Sequence, residues 1–282
     1  MLASTLLPPP PDLAEVVESV WDVDVPDAAF ARTLDCTILP SASAVMVVHY
    51  RSPISSDRRR FEGRPYRSVV TGVQREVVRL RLSGDTGSMV VRFRPDGAAR
   101  LFGATMAAFA DANVELADAV GVTGVSLLQE RLAEAGGAAQ RMTAMVEFLR
   151  GRLRPEGFDA PLQLAVRLLR CRPGTPVGTI ARRLEMSERH LARCFAGTVG
   201  VPPKQFARLV RAERIVASRW RGHGWAQTAA ACGYVDQAHM VNDFRALTGL
   251  SPNAYLRAIA GPAWRETNAR LAMSGFCNTA IL

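Results

Sequence analysis

Apolar residues recur with two different periods along this chain, and the change of period divides it. Ala44-Val45-Met46-Val47-Val48 is a short unbroken apolar run that predicts a buried strand. In EVVRLRL, Val78, Leu80 and Leu82 alternate with Arg79 and Arg81; in SMVVRFR, Met89, Val91 and Phe93 oppose Val90, Arg92 and Arg94. A period of two predicts half-buried strands, and Ser83-Gly84-Asp85-Thr86-Gly87 between them predicts a hairpin loop. Leu13 to Val20 reads as a short helix. RSPISSDRRRFEGRPYR, residues 51–67, is too rich in Arg, Ser and Pro for core and reads as a basic loop. After the turn Arg94-Pro95-Asp96-Gly97 the pattern becomes helical, over 98–109, 116–120, 126–133 and 138–153.

From Pro161 onward the pattern is helical throughout, punctuated by Pro and Gly. Leu162 to Leu169 predicts one helix, closed by Cys171-Arg172-Pro173-Gly174. VGTIARRLEMSERHLARCFAGTVGVPPKQF then reads as helix, tight turn, helix, stop. Ser187 is placed to cap the second of these helices, and Gly200 with Pro202 to end it. At 100° per residue, Leu191, Cys194 and Phe195 share the inner face. Arg189, Ala192, Arg193 and Ala196 face outward, with His190 on the flank.

The same unit occurs twice. In VDQAHMVNDFRALTGLSPNAYL, Asp236, His239, Met240, Phe244, Gly249 and Pro252 each lie 49 residues beyond Ser187, His190, Leu191, Phe195, Gly200 and Pro203. Ala181 pairs instead with Ala229, so the second turn, Cys232-Gly233-Tyr234-Val235, is one residue longer. A long Arg-rich helix, about Pro203 to Trp220, joins the two helix-turn-helix units. A capped helix with an exposed face fits the DNA major groove, its N-terminal residues meeting base edges. A rigid connector sets two of them for adjacent groove segments, which lie about 34 Å apart on one face of the duplex.

Charge follows the same division. The net charge is +9, but residues from Arg150 onward hold 20 Arg or Lys against 8 Asp or Glu, a net +12. The remainder holds 15 against 18, a net −3. Lys204 is the only lysine, so a bias toward Arg accounts for the residue type but not for its place in one half. A basic half of this kind predicts a polyanionic partner.

Competing chemistries find little support. Five scattered cysteines, Cys36, Cys171, Cys194, Cys232 and Cys277, with no CxxC pair suit reduced thiols. With no apolar run near 20 residues and no basic-plus-apolar leader at the N-terminus, the expected location is the cytoplasm, with no membrane partner. His190 and Cys194 stand four apart, but a Cys/His enzyme needs an exposed thiol, and the repeat puts Asp243 at the position of Cys194. A zinc site there lacks two further ligands nearby. No catalytic residue, metal or cofactor is expected. In the N-terminal half a sheet with a barrel-like mouth has room for a small effector, and His49, Tyr50 and Arg92 are its candidate contacts.

SERHLARCFAGTVGVPPKQFARLVRAERI and AACGYVDQAHMVNDFRALTGLSPNAYLR resemble the C-terminal DNA-binding domain of AraC/XylS-type transcription regulators, over about residues 160–260. The first half, including VRFRPDGAARLFG, is similar to the sensory half of one subgroup. The resemblance implies a bacterial regulator of double-stranded DNA, often an activator acting with RNA polymerase. Recognition helices are expected near 187–196 and 236–246. The implied base contacts are Arg189, Ala192 and Arg193 on the first helix and Gln237, Ala238, Val241 and Asn242 on the second. Arg182, Arg183, Lys204, Arg208 and Arg245 are phosphate candidates, while Arg211 matches a position that braces the two units.

The expected fold class is α+β: a small antiparallel sheet, a cupin-like half barrel, plus helices over 1–154, then an all-α DNA-binding domain over 155–262 and a tail over 263–282. The first domain is expected to sense a ligand or to form a homodimer. The rival reading is an architectural DNA-binding repressor without ligand control.

Overall fold

The structure is a computed structural model that describes residues 3–34, 36–38, 40–57, 64–103, 105–154 and 159–258. Residues 155–158, at the expected boundary between the halves, and the tail 263–282 lie outside them.

The described residues of the N-terminal half form nine strands: β1 (Ala3–Leu7), β2 (Val17–Val25), β3 (Cys36–Ile38), β4 (Val45–His49), β5 (Ile54–Ser56), β6 (Ser68–Thr71), β7 (Val78–Leu82), β8 (Thr86–Phe93) and β9 (Asn113–Glu115). A six-stranded antiparallel sheet runs in the order β1-β2-β8-β4-β6-β9, and a three-stranded sheet in the order β3-β7-β5 lies across from it. Helix α1 (Ala28–Thr33) links β2 to β3, and α2 (Ala99–Phe102), α3 (Leu116–Val120), α4 (Val122–Glu134) and α5 (Ala138–Arg150) follow the sheets. One face of the large sheet, with Met46, Met89, Val91 and Phe93, packs on Leu128, Leu132, Met145 and Leu149 of α4 and α5. This is the expected α+β class.

Several local expectations change. Leu13 closes a short 3-10 turn, and the residues after it form β2 rather than a helix. The cause is visible in VESVWDVDV, where Trp21, Val23 and Val25 alternate with Val20, Asp22 and Asp24 and β-branched residues dominate. The loop after Leu82 is not a hairpin, because β7 pairs with β3 and β5 while β8 pairs with β2 and β4. It carries the chain from one sheet to the other. Strand β8 is buried at all eight positions, since it is central and covered on both faces. Within residues 51–67, Ile54 and Tyr66 are core, and Ile54 opens β5. The helix expected over 98–109 breaks at Gly103, whose left-handed φ of 60° ends α2, and resumes as a 3-10 turn at Met106–Phe109.

The C-terminal half is helical: α6 (Ala160–Cys171), α7 (Val177–Arg183), α8 (Glu188–Val199), α9 (Pro203–Trp220), α10 (Trp225–Ala231), α11 (Gln237–Thr248) and α12 (Pro252–Ala258). The first helix pair packs with α6 and the N-terminal part of α9 around Phe195, Phe206 and Leu209. The second packs with the C-terminal part of α9 around Ile215, Met240 and Phe244. Ala42 and Val73 of the β half enter the first of these cores, so the halves share apolar contact. The 3-10 turn Met106–Phe109 abuts the end of α8, where a Cβ on Gly200 would stand 3.0 Å from the Met106 carbonyl oxygen. No helix of the described residues is long and apolar enough to cross a membrane.

Candidate nucleic-acid interface and ligand cavity

Each helix-turn-helix unit is built around a capped second helix. The Ser187 hydroxyl oxygen accepts from the His190 amide at 3.2 Å, and Asp236 Oδ1 accepts from the His239 amide at 2.7 Å. Both helices end on a glycine in the left-handed region, Gly200 at φ 102° and Gly249 at φ 76°. The duplication seen in sequence is therefore a duplication of caps and cores. The turns differ by the expected residue, four between α7 and α8 and five between α10 and α11.

The outward faces carry the expected side chains. On α8, Arg189 and Arg193 are exposed and Ala192 is half-buried. On α11, Gln237, Ala238 and Asn242 are exposed, whereas Val241 is half-buried against the second core. Val235, ahead of α11, is 92% exposed, an apolar side chain beside Gln237 that periodicity could not single out because it sits in a turn.

Among the phosphate candidates, Arg182, Arg183, Lys204 and Arg245 are exposed. Arg208 is not in that set. Its Nε donates to Asp243 Oδ1 at 2.7 Å, and the Tyr234 hydroxyl donates to Asp243 Oδ2 at 2.8 Å. Arg211 lies over the Tyr234 ring at 5.0 Å. Arg208 therefore joins Arg211 in bracing α9 against the second unit. The acid that holds it, Asp243, is the residue the repeat substitutes for Cys194.

His190 and Cys194 do meet, with Nε2 3.6 Å from Sγ. Cys194 is half-buried rather than sealed in the core. The other ring nitrogen, Nδ1, lies 2.9 Å from Arg193 Nη2. A guanidinium only donates, so Nδ1 accepts and the proton of a neutral ring sits on Nε2. That nitrogen has no lone pair for the thiol, and the arrangement is not a nucleophile–base pair. It holds the Arg193 side chain to its helix. Among the described residues no cluster of three metal-ligating side chains occurs.

The three effector candidates part company. His49 lines a cavity of about 110 Å³ between the two sheets. Its Nδ1 is 2.6 Å from Ser88 Oγ, and burial, followed by the charge of Arg67, pushes its pKa down to about 3, so the ring is neutral. Tyr50 points to the opposite side, donating to Asp22 Oδ1 at 2.8 Å beneath the guanidinium of Arg141. It fastens α5 to the sheet and lies outside the cavity. Arg92 also lies outside it, at the contact between the halves.

There Arg92 meets Glu18 at 3.0 Å and Glu213 at 3.2 Å, and Arg170 of α6 meets Glu18 at 2.8 Å. Glu213 Oε1 also accepts from the Ala42 amide at 3.1 Å and the Ser41 hydroxyl at 3.3 Å. Desolvation raises the pKa of Glu213 despite Arg92; for Glu18 desolvation is likewise the largest influence, but Arg92 and Arg170 together outweigh it and the pKa falls. Sequence reasoning missed this cluster. Its one signal was Glu213 as the sole acid on the Arg-rich α9.

Residues 180–258 match the AraC-type family model described as a helix-turn-helix domain, and residues 5–115 match a domain of unknown function, DUF6597. The HTH-type transcriptional regulator Rv1931c of Mycobacterium tuberculosis is 32% identical over 85 residues, which is 30% of this chain and 33% of that protein. The match thus spans about a third of that relative's length. ToxT of Vibrio cholerae is similar over 92% of this chain and 99% of its own, at 10% identity and a TM-score of 0.49. The AraC-like transcriptional activator CuxR covers 85% of this chain and 90% of its own, at 13% identity and a TM-score of 0.25. With its paired helix-turn-helix units and the helix between them, the segment 180–258 is a helix-turn-helix domain of the AraC type, and the chain is similar to AraC/XylS-type transcription regulators.

Proposed function

We propose that the chain is a sequence-specific DNA-binding transcription regulator that lays α8 and α11 in two successive major-groove segments, under the control of a small molecule held by the N-terminal half. The observation that carries this reading is the duplicated unit: two helices with the same side-chain cap and an exposed N-terminal face, both packed on α9. Arg189 and Arg193 have the donor geometry to fork onto guanine O6 and N7, and Asn242 that to pair with adenine. Ala192, Ala238 and Val241 offer apolar contact to thymine methyls, with Gln237 beside them. Arg182, Arg183, Lys204 and Arg245 are the phosphate contacts.

The family resemblance supports an activator that meets RNA polymerase in the cytoplasm, and a homodimer through residues 1–154, with the DNA-binding domain over 155–262. The apolar cavity supports ligand control over a purely architectural repressor. Genome-wide mapping of binding sites, followed by anisotropy titrations on the recovered sequences, tests the reading. The expected result is a two-part motif spaced by about one helical turn, with affinity falling steeply as salt rises. Absence of a shared motif, or a flat salt response, overturns it.

A further inference from the structure

We propose that the cavity between the two sheets binds an uncharged, ring-sized apolar molecule whose one hydroxyl or comparably neutral polar group meets Nε2 of His49. This deepens, and rests on, the reading of the N-terminal half as a ligand-sensing module. The walls are aliphatic, formed by Val23, Val47, Leu80, Leu82 and Val90 among others. No charged side chain occurs among the described residues that line them.

His49 supplies the polar anchor. It is 1% exposed, and Ser88 occupies one of its ring nitrogens while Nε2 has no hydrogen-bond partner. A buried ring nitrogen left unpaired is costly, which marks it as a place where something else binds. Its neutrality decides the ligand class. Whichever tautomer the Ser88 contact selects, Nε2 presents a single neutral donor or acceptor. A hydroxyl satisfies either. A carboxylate would be stripped of water in an apolar chamber with no cation to receive it, a large penalty.

Size follows from the same space. An engineered apolar cavity of roughly 150 Å³ admits benzene; the 110 Å³ here is smaller but not closed on every side, so it takes one ring, with a short substituent left in the opening. At the end of the cavity formed by Ser41, Ser43 and Gln74, the hydroxyl of Ser41 already donates to Glu213 on α9. An occupant that reaches this end touches the contact between the halves.

The test is calorimetric titration of the full chain near neutral pH with 4-ethylphenol, ethylbenzene and 4-ethylbenzoate. The expected result is that 4-ethylphenol binds about tenfold or more tightly than 4-ethylbenzoate, a difference of about 1.4 kcal/mol or more, with ethylbenzene between them. His49→Phe should bring 4-ethylphenol to the affinity of ethylbenzene, and His49→Gln should restore the preference. Equal or tighter binding of 4-ethylbenzoate overturns the proposal, as does no binding by any of the three. The wild-type comparison stands even if the variants fail to fold. Repeating the titrations with a mapped DNA site separates the two readings: 4-ethylphenol binding that leaves DNA affinity unchanged overturns ligand sensing while the ligand class survives.

Discussion

Arg92 on the central strand of the large sheet lies 3.2 Å from Glu213 on the helix that joins both helix-turn-helix units. The same guanidinium holds Glu18 at 3.0 Å. Arg92 is 5% exposed at its side chain and the two acids 19% and 12%, so its removal leaves two mostly buried acids facing each other, with Arg170 as the remaining partner of Glu18. Taking one partner out of a buried pair typically costs about 3–5 kcal/mol. Arg92→Leu should lose stability in that range by chemical denaturation, and adding Glu213→Leu should recover part of it. A loss below about 1 kcal/mol, the value of exposed pairs, would mean that water screens the cluster.

The two acids titrate with opposite sign. The pKa of Glu18 is lowered on folding, so its contribution is present above the ordinary value of 4.5 and is lost as pH falls through the lower folded value. The pKa of Glu213 is raised, so its contribution is present below 4.5 and is lost as pH rises through the higher folded value. Glu18→Gln should therefore make the acid decline of stability shallower, and Glu213→Gln should make it steeper. Denaturation midpoints collected from neutral pH downward decide this; identical slopes in both variants would refute it.

Base reading and phosphate contact separate at Arg189. A bidentate guanine contact carries about 1–3 kcal/mol of discrimination. Arg189→Ala should weaken binding to a mapped site by that amount and leave random-sequence DNA almost untouched. Equal losses on both would make Arg189 a phosphate ligand.

Arg208 and Arg245 make a second contrast. Arg208 is paired with Asp243, and hydrogen bonds to charged groups contribute about 1.5–3 kcal/mol. Arg208→Ala should lower stability within that range and leave the salt slope of DNA binding unchanged. Arg245→Ala should spare stability and reduce the slope by about one. The converse pattern would return Arg208 to the phosphate set.

What the sequence revealed depended on how local the signal was. The helix-turn-helix units were legible because caps, apolar stripes and glycine stops act within a dozen residues, and the repeat stated each signal twice. The β half was harder. Whether β7 and β8 form a hairpin depends on which strands they meet, and their pairing partners come from β2 to β5, far away in sequence. Arg92 read as a candidate effector contact because alternation reports a polar side chain and says nothing about a carboxylate 121 residues away. His49 lines the cavity and Tyr50 faces away from it for a related reason. Adjacent strand residues point to opposite faces, and only the structure shows which face is hollow.

Ser41 has one side toward the cavity and its hydroxyl on Glu213. Any free energy exchanged between the two sites through that contact obeys thermodynamic reciprocity. If an occupant of the cavity strengthens DNA binding tenfold, DNA must tighten the hold on that occupant tenfold. Promoter-bound protein would then stay occupied at signal concentrations too low to fill free protein, giving the switch a memory set by where the molecule sits.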